Sequence, residues 1–95
     1  MAGHLYVRMV GKGWLKIGHT ADGLSGKYAP AHLLWYTECS YPRAADDWVK
    51  RILADVRYGT SENYQADLRT AQRAVLKAVK MGPAVPAEPL VKRMP

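Results

Sequence analysis

Tyr6, Arg8 and Lys16 are the first residues of this sequence whose types and spacing suit them to act together. Leu5-Tyr6-Val7-Arg8-Met9-Val10 and Trp14-Leu15-Lys16-Ile17 alternate bulky apolar with mixed residues around Gly11-Lys12-Gly13, which is the pattern of a β-hairpin. With Gly-Lys-Gly as a three-residue loop, the register predicts Val10 opposite Trp14, Arg8 opposite Lys16 and Tyr6 opposite Gly18, all on one side of the sheet. Leu5, Val7, Met9, Leu15 and Ile17 then fill the other side. A phenol beside two cations on a shared face suits an anionic ligand, and Lys12 in the loop adds a third cation nearby.

A second set of cations, Arg69, Arg73, Lys77 and Lys80, falls on one side of a helical pattern with no acid interleaved. Such a stripe serves either as a solvated outer face or as a surface that tracks phosphates. Other chemistries drop out. Gly11-Lys12-Gly13 lacks the following helix that a phosphate loop needs, and His4, His19 and His32 have no metal-ligand spacing. A single cysteine, Cys39, excludes an internal disulfide and any multi-cysteine zinc site, and at a strand end it reads as a buried, inert thiol.

The elements that must position these residues follow from periodicity. Leu33-Leu34-Trp35-Tyr36-Thr37-Glu38-Cys39 is aromatic and apolar enough for a third strand, expected to be central. Pro42 suits the first turn of a helix in which Ala45, Trp48, Val49, Ile52 and Val56 make one apolar face and Asp47, Arg51 and Asp55 the opposite one. Asp46 and Lys50, at i and i+4, lie along the core edge. Asp67 is a good N-cap for a second helix that turns Leu68, Ala71, Val75, Ala78 and Val79 inward. Between Thr20 and His32, glycines and a proline leave room for one short helical turn around Leu24 to Ala29.

The expected fold is α+β: a small three-stranded antiparallel sheet, a hairpin plus a central strand, flanked by two or three helices. It forms a single domain over residues 1–81. From Gly82 to Pro95, four of the six prolines remove backbone donors and predict an extended or disordered tail, a segment suited to threading into a protein partner.

Composition agrees with one small basic domain. The 95 residues are 48% hydrophobic, with three Trp and six Tyr, enough for one compact core. Fourteen Lys+Arg against eight Asp+Glu give a net charge of +6, which favours a polyanion as partner, nucleic acid first. No run approaches the roughly 18 apolar residues of a membrane span, and Met-Ala-Gly-His opens like no signal peptide, so a soluble cytoplasmic protein is expected.

Leu5-Tyr6-Val7, a gap, Leu15-Lys16-Ile17-Gly18-His19-Thr20, a third strand and then Pro42-Arg43-Ala44-Ala45-Asp46 opening a helix together resemble the GIY-YIG nuclease domain. The likeness is to its short phage-associated subfamily, whose second motif reads Lys-Ile-Gly and which ends in a signature like Glu62-Asn63-Tyr64. It spans roughly residues 3–79. The resemblance implies hydrolysis of a DNA phosphodiester with one divalent metal, Mg2+. It makes Tyr6 the base or water-orienting phenol and Lys16 its helper or a phosphate ligand. Gly18 allows backbone approach to the phosphate, His19 is a further donor, and Asp46 is the metal ligand.

The sequence departs from the family pattern at three positions. No arginine follows the second motif, where Lys27 is the cation available, and lysine lacks the guanidinium fork. Aspartate stands at position 46 where the family has glutamate. Lys50 stands where subfamily members often have histidine. Two functions remain open: a small metal-dependent DNA endonuclease, or a catalytically weak or silent module of the same fold that binds DNA or a protein partner.

Overall fold

The computed structural model describes residues 3–21 and 32–83. The helical turn expected around Leu24 to Ala29, with Lys27, lies outside the described residues, as does the Pro-rich tail from residue 84 onward. The described elements run β1 (Gly3–Gly11), β2 (Trp14–Thr20), β3 (Leu33–Cys39), α1 (Pro42–Ile52), a 3-10 turn (Ala54–Val56), β4 (Asn63–Gln65) and α2 (Leu68–Lys80).

The domain is α+β, with four antiparallel strands in the order β3-β1-β2-β4, not three. The hairpin strands β1 and β2 are central, and β3, expected in the middle, is an edge strand paired with β1 alone. Its side chains alternate accordingly: Leu33, Trp35 and Thr37 are half-buried, whereas Leu34, Tyr36 and Glu38 are exposed. β4 adds to the far side of β2 through Trp14, Leu15 and Lys16. Three residues with one apolar member carry no periodic signal, but Tyr64 at the centre of β4 is fully buried and anchors it.

The hairpin register places Tyr6 opposite Gly18 and Arg8 opposite Lys16, as the alternation predicts. Gly11, not Val10, faces Trp14, so the loop is the pair Lys12-Gly13 and Val10 is the extra residue of a bulge. Gly13 adopts φ +79°, which only glycine takes up without strain. The bulge lies at the end of the covered stretch. Met9, expected inside, is therefore 46% exposed.

Both helices cover the face carrying Leu5, Val7, Leu15 and Ile17. α1 begins with Pro42, whose missing N–H costs nothing in a first turn, and contributes buried Ala45 and Val49 with half-buried Trp48 and Ile52. The helix stops at Ile52, so Val56 reaches the core from the 3-10 turn rather than from the helical face. α2 starts where the Asp67 carboxylate accepts the Thr70 N–H at 2.8 Å and turns Ala71, Ala74, Val75 and Ala78 inward. Gly82, at φ +78°, closes its C-terminal end. No helix among the described residues is long and apolar enough to cross a membrane.

Candidate functional site

Three elements bring ionisable groups to one place on the helix-covered side of β2. His19 follows Leu15 and Ile17 at the two-residue period of the strand, so its ring shares their face. Asp46 follows buried Ala45 on α1 and is itself 0% exposed. Glu62 precedes β4, and its carbonyl accepts the Ile17 N–H at 3.1 Å, which holds it beside β2.

His19 Nδ1 lies 2.5 Å from Asp46 Oδ2, and one ligand atom from each of His19, Asp46 and Glu62 lies within 4.8 Å of the others. Two ammonium groups flank the carboxylates. Lys50 Nζ is 4.0 Å from Asp46 Oδ2, one helical turn on, and Lys16 Nζ is 3.8 Å from Glu62 Oε1. The Lys16–Glu62 pair is about one-third exposed on each side, so it is worth no more than about 1 kcal/mol and either side chain is free to take another partner.

Burial raises the Asp46 carboxyl to about 6; the His19 hydrogen bond and the Lys50 ammonium pull it down, and Glu62 pushes it up. Two atoms in this region are buried without a hydrogen-bond partner: Asp46 Oδ1 and the Tyr64 hydroxyl. Burial raises the Tyr64 phenol well above its ordinary value; the charges of Asp46 and Glu62 raise it further, and that of Arg57 lowers it. An unpaired buried carboxylate oxygen is costly unless a proton, a donor or a cation reaches it.

Of the residues singled out in the sequence, Lys16, His19 and Asp46 thus come together, linked through Glu62. Tyr6 stands apart, on the face of the sheet away from the helices. A Cβ added to Gly18 would lie 2.6 Å from Tyr6 Oη, so the phenol ring occupies the space above the glycine. The open approach to a phosphate expected at Gly18 is therefore filled by Tyr6.

The basic residues fall on two surfaces. Arg8 lies opposite Lys16 on the face of the sheet away from the helices, with Lys12 exposed at the turn. Arg69, Arg73, Lys77 and Lys80 are exposed on the outer side of α2, with the sheet between the two sets. Lys50 forms the i, i+4 pair with Asp46 that the sequence predicts. Cys39 is a buried free thiol, as expected.

Beside the cluster, a cleft of about 570 Å³ is lined by His19, Ala21, Pro42, Arg43, Ala44 and Asp47, among others. Arg43 also lines this cleft, which meets the carboxylate cluster at His19. Sequence reasoning assigned no role to Arg43, Glu62 or Tyr64, although all three lie in segments quoted for the family resemblance. Compared with protein-family models, with curated proteins and with solved structures, the chain matches none.

Proposed function

We propose that the chain is a small GIY-YIG-like endonuclease that hydrolyses DNA phosphodiester bonds with one divalent metal ion held at Asp46. The observation that carries this reading is convergence. Lys16 and His19 from Lys-Ile-Gly-His-Thr, Asp46 from the helix opened by Pro42, and Glu62 from Glu-Asn-Tyr meet in one cluster although they are far apart in the chain. The residues present fit a cation, because Asp46 is buried with one oxygen unpaired among groups that ligate metals.

When bound, a divalent ion supplies Lewis-acid stabilisation of the charge that develops on the phosphoryl oxygens. The rest falls to the chain. Asp46, buried and held by His19, would anchor the ion, and Glu62 would complete the anionic side of the site. His19 is half-exposed at the cleft, its Nδ1 held by Asp46 Oδ2 and the rest of its ring toward solvent. Arg43 offers from the cleft wall the forked donor pair that suits two phosphate oxygens, the capacity missing from Lys27. Lys16 neutralises a phosphate once Glu62 releases it. In this reading Tyr6 is a positioning residue, whose ring braces the strand segment that carries His19.

The partner is DNA, met through Arg43 at the cleft and Lys16 beside Glu62, and the site of action is the cytoplasm, where the thiol of Cys39 stays reduced. Nicking of supercoiled plasmid with added divalent ion and with chelator tests the activity. Asp46→Ala should abolish cleavage and leave DNA binding nearly intact, because it removes the anchor without adding repulsion. Tight DNA binding by wild type with no nicking under any divalent ion would support the alternative, a silent DNA-binding module of the same fold.

A further inference from the structure

We infer that His19, Asp46 and Glu62 form a site for a first-row divalent transition-metal ion, of which Zn2+ and Mn2+ are the probes, rather than for the Mg2+ that the family resemblance implies. The inference rests on the reading above for the presence of an ion at Asp46, and differs from it in which ion the site selects and which residues do the selecting.

The donor set is the first argument. One imidazole nitrogen and two carboxylates converge with ligand atoms within 4.8 Å of one another. Mg2+ favours near-octahedral oxygen coordination and gives up its waters reluctantly, so an imidazole at the centre of the cluster works against it. Imidazole with carboxylate is a donor combination suited to zinc and its first-row neighbours.

Independent support comes from unpartnered buried atoms at the same place. Asp46 is 0% exposed, yet its Oδ1 has no hydrogen-bond partner. The flanking ammonium groups lie at ion-pair range of the other atoms, Asp46 Oδ2 and Glu62 Oε1, at 4.0 and 3.8 Å. The Tyr64 hydroxyl, on a side chain that is also 0% exposed, is unpartnered too and interacts electrostatically with both Asp46 and Glu62. A cation ligated by Asp46 Oδ1 would remove that unpaired group.

Access is asymmetric in the way a loadable site requires. The Asp46 side chain is 1% exposed and forms the floor, whereas His19 at 33% and Glu62 at 32% form a rim open to solvent. Three protein ligands leave further coordination positions for water or substrate.

The test uses the full chain without DNA. Titration calorimetry and thermal unfolding are run with Zn2+, Mn2+ and Mg2+ on wild type, His19→Ala, Glu62→Gln and Asp46→Asn, with circular dichroism of each metal-free variant to establish that it folds. Zn2+ and Mn2+ should bind one per chain and raise the unfolding midpoint, while Mg2+ at equal concentration should not. Each variant should weaken Zn2+ binding by at least about tenfold, a loss that even outer-shell changes produce at metal sites. Equal binding of Mg2+, with His19→Ala unchanged, would overturn this inference and leave the Mg2+ nuclease reading standing. Zn2+ binding that survives in all three variants would move the ion elsewhere and overturn it as well. Binding as expected, with no nicking of plasmid by the loaded protein, would instead sink the nuclease reading and keep the site.

Discussion

The 2.5 Å contact between His19 Nδ1 and Asp46 Oδ2 ties the second hairpin strand to the first helix across 27 residues of sequence. It is made by the one buried charged residue among those described. Lys50 and Glu62 are arranged around that contact, so a change at either end alters the charge balance of the whole cluster.

The first consequence concerns pH. Asp46 has an ordinary value of 3.8, raised to about 6 in the folded chain chiefly by burial. The fold therefore favours the protonated carboxyl. This contribution is fully present below pH 3.8 and is lost as pH rises through about 6. Asp46→Asn keeps the shape and removes the titration, so in metal-free buffer the variant should gain stability relative to wild type as pH rises through about 6. Guanidinium unfolding at about pH 4 and about pH 7 measures this, and a wild type that gains on the variant over that range would contradict it.

Lys50 lies one helical turn from Asp46 and places a positive charge 4.0 Å from its Oδ2. Lys50→His removes that charge and offers a fourth ligand from the same helix side. Zn2+ affinity should rise several-fold in calorimetry. An unchanged or weaker affinity would mean that the ion does not approach Asp46 from the Lys50 side.

Because the cations occupy two surfaces, DNA binding and DNA cutting should separate. Lys16→Glu, beside Glu62, should lower nicking, whereas Arg8→Glu, or Arg73→Glu with Lys77→Glu, should lower affinity at most and leave the cleavage rate of bound DNA unchanged. Wild-type affinity should fall steeply with salt, and removing a cation that neutralises one phosphate should flatten the log–log slope by about 0.9. A salt-independent affinity would remove nucleic acid as the partner.

Asp67 sets the start of α2 by accepting the Thr70 N–H, and that hydrogen bond holds its carboxyl below the usual range. Asp67→Ala should lower the unfolding midpoint. The sign with pH is opposite to that of Asp46: the Asp67 contribution is present above its unfolded value and lost as pH falls through the lowered one. Thermal scans at about pH 7 and about pH 3 should show the difference between wild type and variant shrinking in acid.

Much of the scaffold was legible because short-range periodicity specified it. Strand alternation put Arg8 opposite Lys16, and the spacing of Ala45 and Val49 gave α1 its inward face. Val10 looked like a paired residue because a bulge changes the register without changing the residue pattern. β4 was hidden by its length, and β3 looked central because Leu34 and Tyr36 are apolar yet exposed. The candidate site was legible in part. Lys16, His19 and Asp46 were named by motif, but nothing local told that Asp46 is buried, since an acid beside an apolar stripe is ordinarily solvated. Glu62 joins them through a backbone hydrogen bond between β2 and the start of β4, a pairing that sequence spacing does not encode.

The phenol of Tyr6, lying where a side chain at position 18 would go, makes these two positions one locus for sequence drift. Gly18 can acquire even a methyl group only if residue 6 is smaller or its ring swings aside. Substitutions here have a permitted order: an alanine at 18 that is harmful beside tyrosine becomes harmless beside a smaller neighbour. Position 18 is thus answerable to position 6, on the opposite strand, before it is answerable to its own neighbour His19.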